Sequence, residues 1–220
     1  MISMTLYKTY TWQFNKSEKI KHKNKTIGKI SQKSRSKFIG NIKYFEYDCT
    51  FNEIFEDDIQ IEINNVLQSF DEYQKIKKFK VFYFPSKKTL IVRAPSQISN
   101  NFIEAVKSCF SQKVNIQGTM NYPFDKLQKK ARSMRGLYFS VKQTNISSKH
   151  FFGPKVESDK EASKAINNNK ATYLMLKIDI LKKSRTIGFS KKGTLVLYNV
   201  SLKDSYLQIT SDVLHAIKLW

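Results

Sequence analysis

Between residues 46 and 62 stand Glu46, Asp48, Glu53, Glu56, Asp57, Asp58 and Glu62, with no Lys or Arg among them. Several carboxylate oxygens are what a hard cation needs, and two or three carboxylates often serve metal-dependent nucleases. Residues 59–64 lack the nearby strand lysine that usually accompanies such a core. The simpler expectation is an acidic helix start or strand edge that masks basic residues or faces a partner. Other reactive side chains do not gather. His22, His150 and His215 are far apart in sequence, and no HExxH, GxSxG or glycine-rich phosphate loop occurs among only seven glycines. Cys49 and Cys109 are too few for a disulfide framework or a four-cysteine zinc site, and Cys109 is expected on the core face of a helix. No cofactor is implied, no residue is assigned to catalysis or metal, and the reading leans away from an enzyme.

Cations dominate the remaining chemistry. Lys and Arg number 39 against 18 Asp and Glu, a formal net charge of +21. Such an excess repels itself in a compact chain unless a polyanion or an acidic partner offsets it. Nucleic acid is the usual polyanion, because each neutralised phosphate releases counterions. Lys far exceeds Arg, which suits phosphate contact better than bidentate base reading, although an AT-rich genome also enriches Lys, Ile and Asn. The densest basic tract is residues 16–37, with nine cations against Glu18 alone. Its weak apolar periodicity predicts a mobile loop or arm that tracks a polyanion.

Two stretches position further cations. Val81–Phe84 and Leu90–Arg93 flank Pro85, Ser86, Lys87 and Lys88, which predicts a hairpin. Ser96 then opens a helix with Phe102, Ile103, Val106 and Phe110 on one side. The same grammar returns in residues 185–220: a strand over 186–189, a turn at Ser190, Lys191, Lys192 and Gly193, and a strand over 195–198. A helix from about Lys203 follows, carrying Tyr206, Ile209, Val213, Ile217 and Trp220. Aligning Phe84 with Phe189 superposes the two units and suggests an internal duplication. Elsewhere, residues 5–14 read as an edge strand, 38–47 as a strand, and 65–78 as a helix through Val66, Leu67, Phe70, Tyr73 and Ile76. Residues 114–120 read as a strand and 125–135 as a basic helix carrying Lys126, Lys129, Lys130, Arg132 and Arg135, which Gly136 ends. Residues 137–142 and 173–181 read as strands. Residues 143–170 read as a loosely structured insertion, with a short helix over 159–166. There Phe151 and Phe152 either anchor a loop or stack on bases.

The order of elements over residues 114–217 resembles one repeat of the TATA-binding-protein fold. The closest passage is Leu176, Lys177 and Ile178 followed by residues 185–196, with an aromatic before the Ser/Gly/Lys hairpin tip; Phe84 and its turn match the same place. The resemblance implies a curved antiparallel saddle with helices on its back. It also implies a wedge role for Phe84 and Phe189 between base steps of the minor groove, although the tips here are one residue longer and the other wedge position falls near Ala171.

The expected fold is therefore α+β, a mostly antiparallel sheet with helices on one face and two pseudo-repeats. Residues 1–37 form an edge strand and basic arm, 38–111 a first half, and 112–220 a second half with an insertion at about 143–170. At 220 residues and 40% apolar content the chain can bury a sizeable core. No apolar run reaches the roughly 20 residues of a membrane span and no signal-peptide pattern opens the chain, so a cytoplasmic protein without a membrane partner is expected. The leading expectation for function is non-catalytic nucleic-acid binding, DNA before RNA. Lys87, Lys88, Arg93, Lys126, Lys129, Lys130, Arg132, Arg185, Lys191 and Lys192 would hold phosphates, and Phe84 and Phe189 would insert. The alternatives are a subunit of a defence or mobile-element assembly that docks an acidic protein, and a metal-dependent nuclease built on the Glu53–Glu62 carboxylates.

Overall fold

The structure, a computed structural model, describes residues 1–220 except 34, 144, 181–182 and 201–204, and leaves aside the side chains of 142 and 143. In chain order it runs β1 (Ile2–Trp12), β2 (Glu18–His22), β3 (Lys25–Gln32), β4 (Lys37–Ile39), β5 (Ile42–Ile63), β6 (Val66–Phe84) and β7 (Thr89–Arg93). Next come α1 (Ser96–Cys109), β8 (Val114–Thr119), α2 (Phe124–Lys130), β9 (Ser133–Gln143), β10 (Ile146–Phe152) and α3 (Lys160–Asn167). The chain closes with β11 (Ala171–Ile180), β12 (Lys183–Ser190), β13 (Thr194–Leu197) and α4 (Tyr206–Ala216). One open antiparallel sheet runs β10-β9-β11-β12-β13-β1-β7-β6-β5-β3-β2, with β8 added to β1 and β4 to β5. This is the α+β, mostly antiparallel class that the alternating patterns predict. No described helix is long and apolar enough to cross a membrane.

The first strand is central rather than an edge. Residues 2–5 of β1 pair with β13, residues 5–8 with β7 on the other side, and residues 7–12 with β8. Leu6 and Thr9 donate backbone hydrogen bonds to the carbonyls of Gly193 and Lys88, so both hairpin tips lie toward the same end of the sheet. Met4, Thr5, Leu6, Tyr7 and Thr9 are all buried, which requires cover on both faces. That cover comes from opposite sides. Ile98, Phe102, Ile103 and Val106 of α1 pack with Val81, Tyr83, Leu90 and Val92. Leu207, Ile209, Val213 and Leu214 of α4 pack with Phe82, Phe84, Ile91, Met4 and Leu6, and α2 and α3 join this second core. The expectation of helices on one face is corrected, because successive residues of β6 and β7 are all apolar and each face needs its own layer.

Each side of the sheet therefore leaves a different face open. Beyond β13, residues that alternate with the second core point away from α2, α3 and α4. Tyr138 stacks on His150 with ring centroids 4.1 Å apart and meets Tyr173 at 5.1 Å and Phe152 at 5.4 Å. The hydroxyls of Tyr173 and Tyr198 are hydrogen-bonded at 2.7 Å. A Cβ on Gly188 would sit 1.7 Å from the Tyr173 hydroxyl, and one on Gly136 3.0 Å from the Phe152 ring. Glycine is the residue that lets these rings lie across the strands.

Several local expectations are corrected. Within the expected arm, residues 18–32 are not loose; β2 and β3 form a hairpin around Lys23 and Asn24, at φ 44° and 64°. Residues 65–78 are strand, because β5 and β6 pair from Phe45↔Tyr83 out to Ile63↔Val66 around Asn64 and Asn65, at φ 53° and 63°. Paired positive φ values are those of a type I′ hairpin turn, which Asn tolerates. Helix α2 ends at Lys130, and Arg135 and Gly136 belong to β9. Phe151 packs parallel to Phe139 within a paired strand, while Phe152 stays exposed. Cys109 is exposed, its thiol donating to the Lys21 carbonyl, so it is no core residue. The expected short helix is α3, capped by the Asp159 carboxylate, which accepts from the Ala162 amide. Residue 203, the expected start of the last helix, and residue 181, the expected end of a strand, lie outside the described residues.

Candidate nucleic-acid interface

Strand alternation sorts the first side of the sheet into an apolar and a cationic face. Ile20, Ile30, Tyr47, Cys49, Phe51 and Val81 turn toward α1. Their neighbours turn away, and the register aligns them in rows. One row crosses four strands as Lys19↔Lys29, Lys29↔Thr50 and Thr50↔Lys78. The next crosses as Ser31↔Asp48, Asp48↔Lys80 and Lys80↔Arg93. Rows two residues apart are about 7 Å from each other, and neighbouring strands about 4.8 Å. Between them opens a groove of about 700 Å³ lined by Lys29, Asp48, Thr50, Lys78, Lys80 and Arg93.

Carboxylates hold part of this face and leave the rest free. Glu46 is buried and accepts hydrogen bonds from Lys37 and Lys80. Burial pushes its carboxyl upward, but the hydrogen bonds and charges of the two lysines outweigh that and hold it below the usual carboxylate range. The hydrogen bonds to Glu46 raise Lys37 and Lys80 in turn. Asp48 lies 3.7 Å from Lys33 and 4.0 Å from Lys80. Arg93 sits over the Tyr206 ring at 4.5 Å. Among the described residues, no carboxylate pairs with Lys19, Lys29 or Lys78. Lys19 and Lys29 face each other across the strands, and like charges so placed are destabilising.

Of the residues expected from sequence, this face contains Arg93. Lys87 and Lys88 lie at the first hairpin tip, over the rings of Trp220 at 6.0 Å and Tyr10 at 4.9 Å. Lys191 donates to the Asn169 carbonyl and Lys192 is exposed at the second tip. On α2, Lys126 and Lys129 are exposed, and Lys130 donates to the Ala216 carbonyl, where a cation complements the C-terminus of α4. Arg132 is exposed beyond α2, and Arg185 is half-buried on β12 and has a partner.

Phe84 and Phe189 are not free to wedge between base steps, contrary to expectation. Both are 0% exposed. Phe84 is packed between Tyr44 and Trp220, and Phe189 against Tyr122. Their strands are covered on this face by α4 and its neighbours.

Lys78 and Lys80 were not expected as site residues, and Lys19 and Lys29 were expected only within a mobile basic arm, not on a strand face. The signal for them is the period-two pattern in Lys19-Ile20-Lys21, Lys29-Ile30-Ser31 and Lys78-Phe79-Lys80. No group of three His, Cys, Asp or Glu side chains gathers among the described residues. The Glu53–Glu62 carboxylates are strung along the outer part of β5. The Cys49 thiol is buried and pushed up by burial, and His215 places Nδ1 2.9 Å from the Ser211 carbonyl within its own helix. Comparison of the sequence with known protein families and with curated proteins finds no match.

Proposed function

We propose that the protein binds nucleic acid without catalysis, holding phosphates on the cationic face of β2, β3, β5, β6 and β7. The observation that carries this reading is the row Lys19, Lys29 and Lys78, aligned by strand register and without a carboxylate partner among the described residues. A cross-strand pair of lysines costs stability in isolation, and a phosphate between them converts that cost into attraction with counterion release. Lys80, Arg93 and Lys33 extend the contact, while Lys87, Lys88, Lys191 and Lys192 supply cations at one end of the sheet.

The duplication suggested by sequence belongs to the same proposal. The units β6–β7–α1 and β12–β13–α4 flank β1 in mirrored strand order, with tips toward one end and helices on opposite faces. A two-fold axis along β1 relates such a pair, which differs from a saddle with all helices on its back. A docking role in a protein assembly is the second reading, and the exposed apolar and acidic outer part of β5 and β6 is what favours it.

Anisotropy titrations with single- and double-stranded DNA and RNA test the reading. Affinity is expected to fall steeply with salt, by about tenfold or more for each few contacts between low and moderate ionic strength. Lys29→Glu combined with Lys78→Glu is expected to lower affinity for every sequence alike and reduce the salt slope by about two. Absence of binding to any of the four at low salt overturns it.

A further inference from the structure

Beyond the body of the sheet, β5 and β6 continue as a two-stranded ribbon with no third strand beside it and no helix against it among the described residues. Residues 53–63 alone span about 36 Å at the rise of a strand, roughly the width of a small domain. A lone ribbon in water is marginal, and both its edges present unpaired backbone groups. Its surface is unlike the rest of the chain in two ways.

The first is apolar exposure. Nine of the fourteen exposed large hydrophobics among the described residues lie here, including Val66 at 58%, Leu67 at 67% and Ile76 at 59%. Register places Ile54, Ile59, Ile61, Ile63, Val66, Phe70 and Ile76 on one face, with the Glu56↔Glu72 pair among them. The second is charge. Residues 53–74 carry seven carboxylates and no Lys or Arg, so this segment is −7 and the remaining chain, from +21 overall, is +28. Exposed apolar residues interspersed with one sign of charge are the composition of a docking surface. The surface it complements is basic, and the body of this same chain is such a surface at equal concentration.

We propose that the ribbon is an assembly arm that docks on the cationic body of a second copy of the chain. Reciprocal exchange of arms closes a dimer, and one-way docking builds longer chains. The inference does not depend on the nucleic-acid reading, since it concerns contacts made with no nucleic acid present.

Sedimentation velocity on nuclease-treated protein tests it. The full chain is expected to associate with rising concentration, and more weakly as salt goes from about 0.05 to 0.5 M. Replacing residues 54–74 with Asn-Gly closes the hairpin on the Glu53↔Lys75 pair and is expected to leave a monomer that still binds nucleic acid. Two variants keep the ribbon and separate its contributions. Ile61→Thr with Ile63→Thr and Phe70→Thr retains strand preference and is expected to weaken association at all salt concentrations. Glu56→Gln, Asp57→Asn, Asp58→Asn, Glu62→Gln, Asp71→Asn and Glu72→Gln together are expected to weaken it at low salt by about tenfold. A full chain that stays monomeric throughout, or a truncated chain that associates equally well, overturns the proposal. Selective binding of the ribbon to an unrelated basic protein, with no self-association, overturns it too.

Discussion

The two open faces of this sheet are built by one rule and paved with opposite materials. On the β2–β7 side, α1 covers one face and strand alternation exposes Lys19, Lys29 and Lys78 on the other. On the β9–β13 side, α2, α3 and α4 cover the reverse face, and the open one carries Tyr138, His150, Phe152, Tyr173 and Tyr198. A strand offers two sets of residues, and the docked helix decides which set meets water. The aromatic set is interlocked with itself, whereas the lysines touch little and repel each other. Substitutions should therefore act on stability at one face and on binding at the other.

The largest effect is expected where the aromatic face is tightest. In Gly188→Ala the new methyl carbon would fall 1.7 Å from the Tyr173 hydroxyl, forcing the ring off the strand and out of its bond to Tyr198. The cost should be about 1–3 kcal/mol in urea unfolding. Gly136→Ala meets Phe152, a ring 59% exposed, at 3.0 Å rather than 1.7 Å, and should cost less. Adding Tyr173→Ala to Gly188→Ala should cost less than the two changes summed, because one removes what the other collides with. Additive costs would mean that the ring is not what the glycine accommodates.

Next in size is the acid sensitivity of the cationic side. Glu46 titrates below its ordinary value of about 4.5 because Lys37 and Lys80 hold it ionised. A lowered folded pKa contributes stability above the unfolded value and loses it as pH falls through the folded one. Stability should therefore fall on acidification below about pH 4.5, and Glu46→Gln should flatten that limb. Lys37 and Lys80 are raised, so their share is present below about 10.5 and lost as pH rises beyond it. An unchanged acid limb in Glu46→Gln would show that other carboxylates govern it.

Smaller still, and opposite in sign to its effect on binding, is Lys29→Glu alone. It replaces a repulsive pair with Lys19 by an attractive one, worth about 0.2–1 kcal/mol. Stability should rise slightly in thermal unfolding while nucleic-acid affinity falls. A loss of both would mean that Lys29 is needed by the fold.

The helices were legible because their apolar residues recur at one spacing and no other. Phe102, Ile103 and Val106 fit only a helix against a sheet, and the Pro85–Lys88 and Ser190–Gly193 turns stand out between β-branched runs. What was lost shares one cause. Val66, Leu67, Phe70, Tyr73 and Ile76 fall at intervals that mimic a helix, because both faces of a ribbon carry apolar residues and the two sets interleave. Lys19, Ile20 and Lys21 look like a charge run until Ile20 is paired with Gly28. In both cases the deciding residues are in the turn. Asn64-Asn65 and Lys23-Asn24 adopt two successive positive φ values, and neither contains the glycine that usually announces such a turn. The central place of β1 was not readable at all, since it depends on partners at residues 89–92 and 194–197.

That cause suggests the smallest change that still separates the two faces. Asn24 sits at φ 64° in the second position of its turn, where glycine is the better residue. Asn24→Gly should tighten the β2–β3 hairpin by a few tenths of a kcal/mol, and Asn24→Ala should loosen it by somewhat more. Strand β2 is the outermost of the sheet, so its opening is local. Amide hydrogen exchange should slow at β2 in the glycine variant and quicken in the alanine one, with the amides of β11 and β12 unmoved. Because Lys19 and Lys29 keep their spacing only while that hairpin is closed, the alanine variant should also bind nucleic acid slightly more weakly than the glycine variant. Equal affinity in both, despite different exchange, would mean that phosphate contact tolerates a frayed edge and rests on Lys78, Lys80 and Arg93.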